Sequence, residues 1–347
     1  MPPMPEDATT IKAHALRLAS QRGFARAGVA PPVAARAERF AEFLARGLHA
    51  DMHYLTRDPA ARADARRLLP EARSVICLAV SYAPAADDES AGLIARYARG
   101  RDYHRILRAR CRKLLAALAQ IAPDLKARIC VDTAPLLERD LAAQAGLGWI
   151  GRNGCLIDAE LGSYLLLAEI VTNLPLPPDA PVPNRCGDCR KCVDACPAGA
   201  IGADGLVDCR RCASYLTIEH RTPIGEPRRK TLGHNVFGCD VCQAVCPFNR
   251  GAPAGDEVLR CPSDLARTPL AEILKFTDAD WDRLTRGSAA RRATREMLLR
   301  NAAIAAGNTR DRALRGSLEH LAGSGPPLAA EAARWALARV RRGGQDV

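Results

Sequence analysis

CGDCRKCVDACP (186–197) and CDVCQAVCP (239–247) decide how this chain is read. The first stretch sets Cys186, Cys189, Cys192 and Cys196 two, two and three residues apart, with Pro197 after the last. The second repeats the end of that pattern with Cys239, Cys242, Cys246 and Pro247, and Cys212 stands upstream as a detached fourth member. In this spacing three cysteines hold one [4Fe–4S] cluster and the fourth reaches across to another. Thiolate is a soft ligand suited to iron–sulfur centres. Crossed ligation predicts one cluster on Cys186, Cys189, Cys192 and Cys246, and a second on Cys212, Cys239, Cys242 and Cys196. Structural zinc is the alternative for such residues. Zinc takes four ligands, usually as two separated pairs, and accounts neither for the third cysteine of the run nor for the prolines. One-electron transfer is the expected chemistry.

The rest of the composition narrows the setting. A chain of 347 residues has room for two or three domains and a sizeable core. Its 14 cysteines would suit a secreted disulfide scaffold. However, Met1–Asp7 has no apolar run, so no signal peptide is expected. No stretch approaches the ~18 apolar residues of a membrane span. The longest apolar runs are 75–80 and 164–171, and the second contains Glu169. The cysteines are therefore expected to be metal ligands or reduced thiols in a cytoplasmic protein. The formal net charge of +11 points to a polyanionic partner, nucleic acid first. Only six of the 50 basic residues are lysine, a bias that a GC-rich genome also produces. The distribution says more: residues 281–347 carry 13 arginines against six acids.

Periodicity divides the chain into three. Helices are expected over 10–22, ended by Gly23, and over 33–46. A buried strand is expected over 74–82, then helix over 93–121 broken near Gly100. A short strand over 128–131 runs into Asp132-Thr-Ala-Pro135, which opens a helix through Ala145. Gly146, Gly148, Gly151 and Gly154 make a turn-rich loop, followed by strands over 155–157 and 163–171. This block, 1–174, reads as α/β. The stretch 175–183 has five prolines and reads as an extended linker. The cysteine module occupies 175–255. Residues 256–347 read as all-helical, with segments over 289–306, 311–322 and 328–342 and with Gly307 and Gly323 as C-cap signals. Arg300-x-Ala302 recurs as Arg334-x-Ala336, which suggests stacked repeats or an irregular bundle.

Several stretches now stand together: RYARGRDYHRIL (96–107), VDTAPLLERDLAAQAGLGWIGRN (131–153), RRCASYLTIEHR (210–221) and NVFGCDVCQAVCPFN (235–249). This ordered set resembles epoxyqueuosine reductases, cobalamin-dependent iron–sulfur enzymes that complete queuosine in tRNA. The resemblance covers about residues 10–305, and RNAAIAAGN (300–308) resembles the HEAT-like repeat at the end of that family. It implies an α/β cobalamin-binding domain, a ferredoxin-like module with two [4Fe–4S] clusters and a helical HEAT-like repeat. It also implies reduction of an epoxide to an alkene at the tRNA wobble base, an external electron donor, no membrane and a monomer. Two other functions share some of these features. A reductive dehalogenase also pairs cobalamin with two clusters, and a non-catalytic ferredoxin-type carrier would need neither cobalamin nor Asp132.

The resemblance also assigns residues. From the residues alone, Asp132 reads as a helix N-cap; the family's VDxAP motif makes it the proton donor. His104 in Asp102-Tyr-His reads as a surface or capping residue, or as a group near the corrin. Arg57 and Arg99 offer charge to phosphate or propionamide groups. Tyr97, Asn153, Ser214, Asp240 and Val241 occupy motif positions that would line the cobalamin together with Arg57, His104 and Asp132. Cys209 adds an extra Cys-x2-Cys with Cys212 and is read as a spare thiol. Cys77, Cys111, Cys130, Cys155 and Cys261 are expected to pack as small apolar residues. For RNA, Arg291, Arg292 and Arg295 are the candidates, spaced with Arg300 to share one helix face.

Overall fold

The computed structural model describes residues 7–85, 93–261 and 263–342. Its first unit is built on six strands: β1 (Arg26–Ala30), β2 (Ser74–Ser81), β3 (Ala127–Cys130), β4 (Trp149–Ile150), β5 (Leu156–Ile157) and β6 (Leu165–Thr172). Four of them form one sheet in the order β1-β2-β6-β3, and β4 and β5 make a separate hairpin. Every pairing in the larger sheet is antiparallel. The α/β reading therefore holds for composition, but the sheet is not the parallel one whose strand ends collect active sites.

Strand β2 is buried along all eight residues because helices cover both sheet faces. On one face Ile76, Leu78, Val80, Ala168 and Ile170 pack against helices Ala8–Gln21 and Tyr103–Leu118. On the other, Val75, Cys77, Ala79 and Val171 pack against Leu141, Ala142 and Ala145 at helix Glu138–Gln144. Two-sided covering explains why the strands read as continuous apolar runs.

Capping sets the helix starts. Asp7 accepts from Thr9 and Thr10 N–H at 2.8 Å, so the first helix begins at Ala8 rather than 10. The second helix is shorter than expected, Ala37–Ala45. The helical region after 93 is interrupted around Gly100, and the long helix starts at Tyr103 under the Asp102 cap. A Cβ on Gly100 would lie 2.1 Å from the Leu259 carbonyl oxygen, so this close approach requires glycine. Asp132 does not open a helix: residues 131–137 form a loop, and the helix begins at Glu138. The linker 175–183 has no regular structure.

In the third block, Ala289–Arg292 is a 3-10 turn, followed by helices Arg295–Thr309, Arg315–Ser324 and Pro327–Arg342. Gly307 and Gly323 lie inside helices, not at C-caps. Arg310, with φ 55°, ends the first of them. Arg300 is 1% exposed, whereas Arg334 is exposed, so the sequence echo does not repeat an environment. One apolar cluster joins Ala213, Leu216, Leu232 and Phe237 to Leu298, Ile304, Leu318 and Val340. The C-terminal helices thus share a core with the segments that carry Cys212 and Cys239.

Gly307 has a packing role. A Cβ there would meet the Trp335 ring at 2.6 Å and the Ala336 Cα at 2.9 Å. Gly307→Val should destabilise the protein by ~1–3 kcal/mol in denaturant unfolding, the usual cost of overpacking. Gly323, with nothing within 4 Å, is the control: Gly323→Ala should be neutral or stabilise by up to ~1 kcal/mol. Equal stability of Gly307→Val and the parent would refute close packing of these helices.

Candidate functional site

Each cysteine run includes one short helix, Lys191–Asp194 with Cys192 and Val241–Ala244 with Cys242. Cys186, Cys189 and Cys192 line a cavity with Cys246 of the other run, together with Arg152, Asn153, Ile157, Pro247 and Phe248. Cys239, in turn, lies within electrostatic reach of Cys212 and Cys196. Both groupings follow the crossed pattern. The first set of four thiols surrounds one cavity, as the ligands of a cluster would. Trp149 Nε1 donates to Cys186 Sγ at 3.5 Å, and the Ala200 N–H donates to Cys196 Sγ at 3.3 Å. Such donors stabilise charge on cluster sulfur.

The other thiols differ among themselves. Cys77, Cys111 and Cys130 are fully buried, as expected. Cys155 is only partly buried and senses Cys246, Cys192 and Cys212. Cys261 is exposed and does not pack as an apolar residue. Cys209 is pinned by its N–H to the Leu48 carbonyl, and its thiol faces the Val207 carbonyl at 3.9 Å.

Asp132 sits on the loop after β3 with φ 58°. The left-handed conformation costs a non-glycine residue roughly 1–2 kcal/mol, less for Asp than for most. Its side chain is 56% exposed, and Oδ2 lies 3.1 Å from His104 Nε2. On the other side of the ring, His104 Nδ1 meets Asp102 Oδ1 at 2.7 Å. Helix geometry explains the second contact: Asp102 caps the helix through the His104 N–H and so lies beside the ring. Burial disfavours the charged imidazole, but Asp102 and Asp132 outweigh it and push His104 up to about 9. The ring is therefore an imidazolium between two carboxylates at neutral pH. It also stacks on Tyr103, with centroids 4.1 Å apart.

Tyr97 connects this wall to the cluster module. Its ring lies 6.1 Å from Phe237, and burial raises its hydroxyl, reinforced by Asp132 and Asp240. The Asp240 carboxylate accepts the Arg96 N–H at 2.8 Å, and Val241 opens the following helix. Tyr97 thus lies within electrostatic reach of both Asp132 and Asp240, and these residues outline the candidate cleft. Ser214 is partly buried in the first turn after Cys212. Arg57 is exposed on a surface turn. Asn153 lines the Cys186 cavity; its Nδ2 is buried without a partner among the described residues, a donor suited to cluster sulfur. Arg99 is buried, with its Nε on the Ile94 carbonyl at 2.8 Å, and is not a surface cation.

Four further residues at the cleft escaped the motif reading. Tyr54 is exposed on the rim, and the Arg292 guanidinium lies 5.5 Å from its ring centroid. Glu219 holds Arg292 from behind at 2.8 Å. Glu138 Oε1 accepts the Asp132 N–H at 2.5 Å, and Glu169 is buried behind Glu138. The one sequence signal was the charge of Glu169 inside an apolar strand.

The basic tail does not form a single helix face. Arg291 and Arg292 lie in the 3-10 turn, and Arg295 is the first residue of the next helix. Arg291 pairs with Asp282 at 2.6 Å over Trp281, and Arg295 pairs with Asp278 at 2.7 Å. Arg300 is a core residue that donates to the His220, Thr222 and Leu216 carbonyls. No helix among the described residues is long and apolar enough to cross a membrane.

Comparison with known proteins gives these features a family. Residues 62–133 match the family described as "Epoxyqueuosine reductase QueG, DUF1730", and residues 185–249 match a "4Fe-4S double cluster binding domain". An epoxyqueuosine reductase from Xanthomonas campestris pv. campestris is 39% identical over 344 residues, covering 96% of this chain and 97% of the relative. Among solved structures, a crystal structure of epoxyqueuosine reductase with an epoxyqueuosine-modified tRNA-Tyr stem loop superposes with a TM-score of 0.89 at 27% identity. It covers 96% of this chain and 91% of that one. The Bacillus subtilis epoxyqueuosine reductase with its catalytic loop swung out of the active site gives 0.87 at 26% identity, with the same coverage. With two cysteine runs on a double-cluster module, an Asp-His-Asp chain at its edge and this identity over nearly its whole length, the chain belongs to the epoxyqueuosine reductase family of oxidoreductases.

Proposed function

We propose that this chain reduces epoxyqueuosine to queuosine at the wobble position of tRNA, with Asp132 as the proton donor. The contact between Asp132 and an imidazolium, at the edge of a cysteine module, carries this reading. Removing the epoxide oxygen as water takes up two electrons and two protons. Bound cobalamin would supply a strongly nucleophilic low-valent metal, and two [4Fe–4S] clusters would supply electrons singly from an external donor. Cys186, Cys189, Cys192 and Cys246 would hold one cluster, and Cys196, Cys212, Cys239 and Cys242 the other. Tyr97, His104, Asp132, Ser214, Asp240 and Val241 carry hydroxyl, ring, carboxyl and apolar groups on two facing walls, a set that fits a flat ligand edged with amides.

The protein's task is to hold protons where oxygen leaves. His104 passes its Nε2 proton to the exposed Asp132 carboxylate, which delivers it to the leaving oxygen, and Asp102 steadies the ring through Nδ1. Because His104 is raised to about 9, its reserve is present through neutral pH and is lost as pH rises through that value. Its contribution to stability follows the same sign: full below the ordinary histidine range and lost as pH climbs through the raised value. The tRNA reading is supported by the relative solved with a modified stem loop and by the basic balance of the chain. Arg292 stands at the cleft rim beside Tyr54, and Arg291 and Arg295 extend that surface as phosphate contacts.

The direct test is turnover of epoxyqueuosine-containing tRNA by reduced, cobalamin-loaded protein, read by nucleoside analysis. Asp132→Asn should cut turnover by about a hundred- to ten-thousand-fold, the range of a general acid, while cluster and cobalamin spectra survive. Near-normal turnover would remove Asp132 from the role. Cys196→Ser should deplete the cluster built on Cys212, Cys239 and Cys242 and spare that of its sequence neighbours, as read by iron content and EPR. Loss of only the neighbours' cluster would overturn the crossed assignment. Replacing Arg291, Arg292 and Arg295 together by Ala should weaken tRNA binding and flatten its salt dependence by roughly one unit of slope per lost phosphate contact. An unchanged slope would move the tRNA surface elsewhere.

A further inference from the structure

Behind Asp132 lies a titratable group that the proposed reaction does not use. Glu169 stands on β6 with none of its surface exposed, in register between Cys77 of β2 and Cys130 of β3. Among the described residues, neither of its carboxyl oxygens has a donor within reach. An ionised carboxylate there would be stripped of water with nothing in return. Burial, reinforced by Glu138 and Asp132, accordingly drives Glu169 to its neutral form.

Helix Glu138–Gln144 packs against β6, and the group it brings to Glu169 is Glu138. Two carboxylates are both acceptors, so their contact is a hydrogen bond only when one carries a proton. The surroundings say which one. Burial and the Asp132 charge push Glu138 up to about 7, but the Asp132 N–H on Oε1 at 2.5 Å, the Glu169 contact and Arg139 each favour its charged form. Glu169 has no such help. The charged or titratable groups around Glu169 are Glu138 and Asp132 on its own face, with the thiols of Cys77, Cys130 and, on the helix behind the sheet, Cys111.

We propose that Glu169 and Glu138 form a buried acid–carboxylate pair that pins the Asp132 turn: Glu169 donates its proton to Glu138, and Glu138 accepts the Asp132 N–H. Both are positioning residues. The pair compensates the left-handed backbone at Asp132 and aims its carboxyl at His104. Loss of the shared proton at high pH leaves two buried negative charges, drives Glu138 away and frees the turn. The sign is that of a raised carboxyl: the contribution is full at low pH and lost as pH rises through the raised value. The effect on turnover rests on the reading of Asp132 as proton donor, but the existence of the pair does not.

Infrared spectroscopy of the cluster-loaded full chain, without substrate, tests the pair directly. At neutral pH it should show a protonated carboxyl C=O band that disappears in Glu169→Gln and persists in Asp132→Asn. Turnover supplies the second arm. Glu169→Gln, whose amide donates permanently, should keep turnover close to wild type and lose its share of the alkaline fall. Glu169→Leu, similar in size but without a donor, should lower kcat by about ten- to a hundred-fold with KM for tRNA little changed, as expected for a misplaced catalytic group. Absence of the band, its survival in Glu169→Gln, or an unaltered pH profile in that variant would overturn the proposal. If Glu169→Leu does not fold, the band and the glutamine variant still decide. If the band behaves as described while Asp132→Asn turns over normally, the pair stands and the proton-donor reading is what fails.

Discussion

The hydrogen bonds of Arg300 and Asn301 hold the functional half of this protein together. Arg300 is essentially buried and spends its guanidinium on three backbone carbonyls, those of Leu216, His220 and Thr222. The next residue, Asn301, donates to the Thr217 and Val236 carbonyls. These carbonyls belong to the segments that follow Cys212 and precede Cys239. One turn of a C-terminal helix therefore fixes the relative position of two cysteines that are 27 residues apart in sequence. Burial opposes the charge and lowers Arg300 to about 10, yet it stays protonated at neutral pH. A guanidinium suits the task because its five donors form a rigid fork. Removing it would leave several buried carbonyls without donors, each costing ~1–3 kcal/mol.

The cysteine module is tied to the sheet unit by a second set of bonds. Leu93 and Ala95 exchange backbone hydrogen bonds with Val236 and Phe237, and the Arg96 N–H caps the Asp240 carboxylate. Farther along, Asn249 and Gln243 bond Ser163 at the start of β6. These contacts bracket the cleft. They keep Tyr97 within electrostatic reach of both Asp132 and Asp240. Backbone-mediated bonds of this kind define position without relying on flexible side chains.

Charge is arranged in opposite ways on the two sides of Asp132. Toward the cleft, an imidazolium is stabilised by two carboxylates and is partly solvated. Toward the core, two carboxyl groups meet with almost no solvent, and burial makes sharing a proton the low-energy state. The loop between them carries a strained residue at the point where the two regimes join. Backbone strain at such a position persists only where the surroundings over-determine it.

The sequence by itself determined the metal chemistry. Cysteine spacing is a local property, and 186–197 and 239–247 carry it whatever the surroundings. It also determined the buried strands, because apolar runs act within a few positions. It misjudged Asp132 as a cap candidate, because Asp-Thr-Ala-Pro has the right local pattern while the loop's course is set by Glu138 and His104. That Asn153 lines the cavity of Cys186 and Cys246 was not legible in the sequence, since these cysteines lie more than 30 residues away from it. It read Arg300 as surface charge, since nothing local marks an arginine whose partners are carbonyls some 80 residues away. Only the tertiary structure decided that the sheet is antiparallel, that Glu169 meets Glu138, and that Tyr54, Glu219 and Arg292 share a rim. These are contacts between residues remote in sequence, and the free energy that selects them comes from joint burial, which no window of the chain contains.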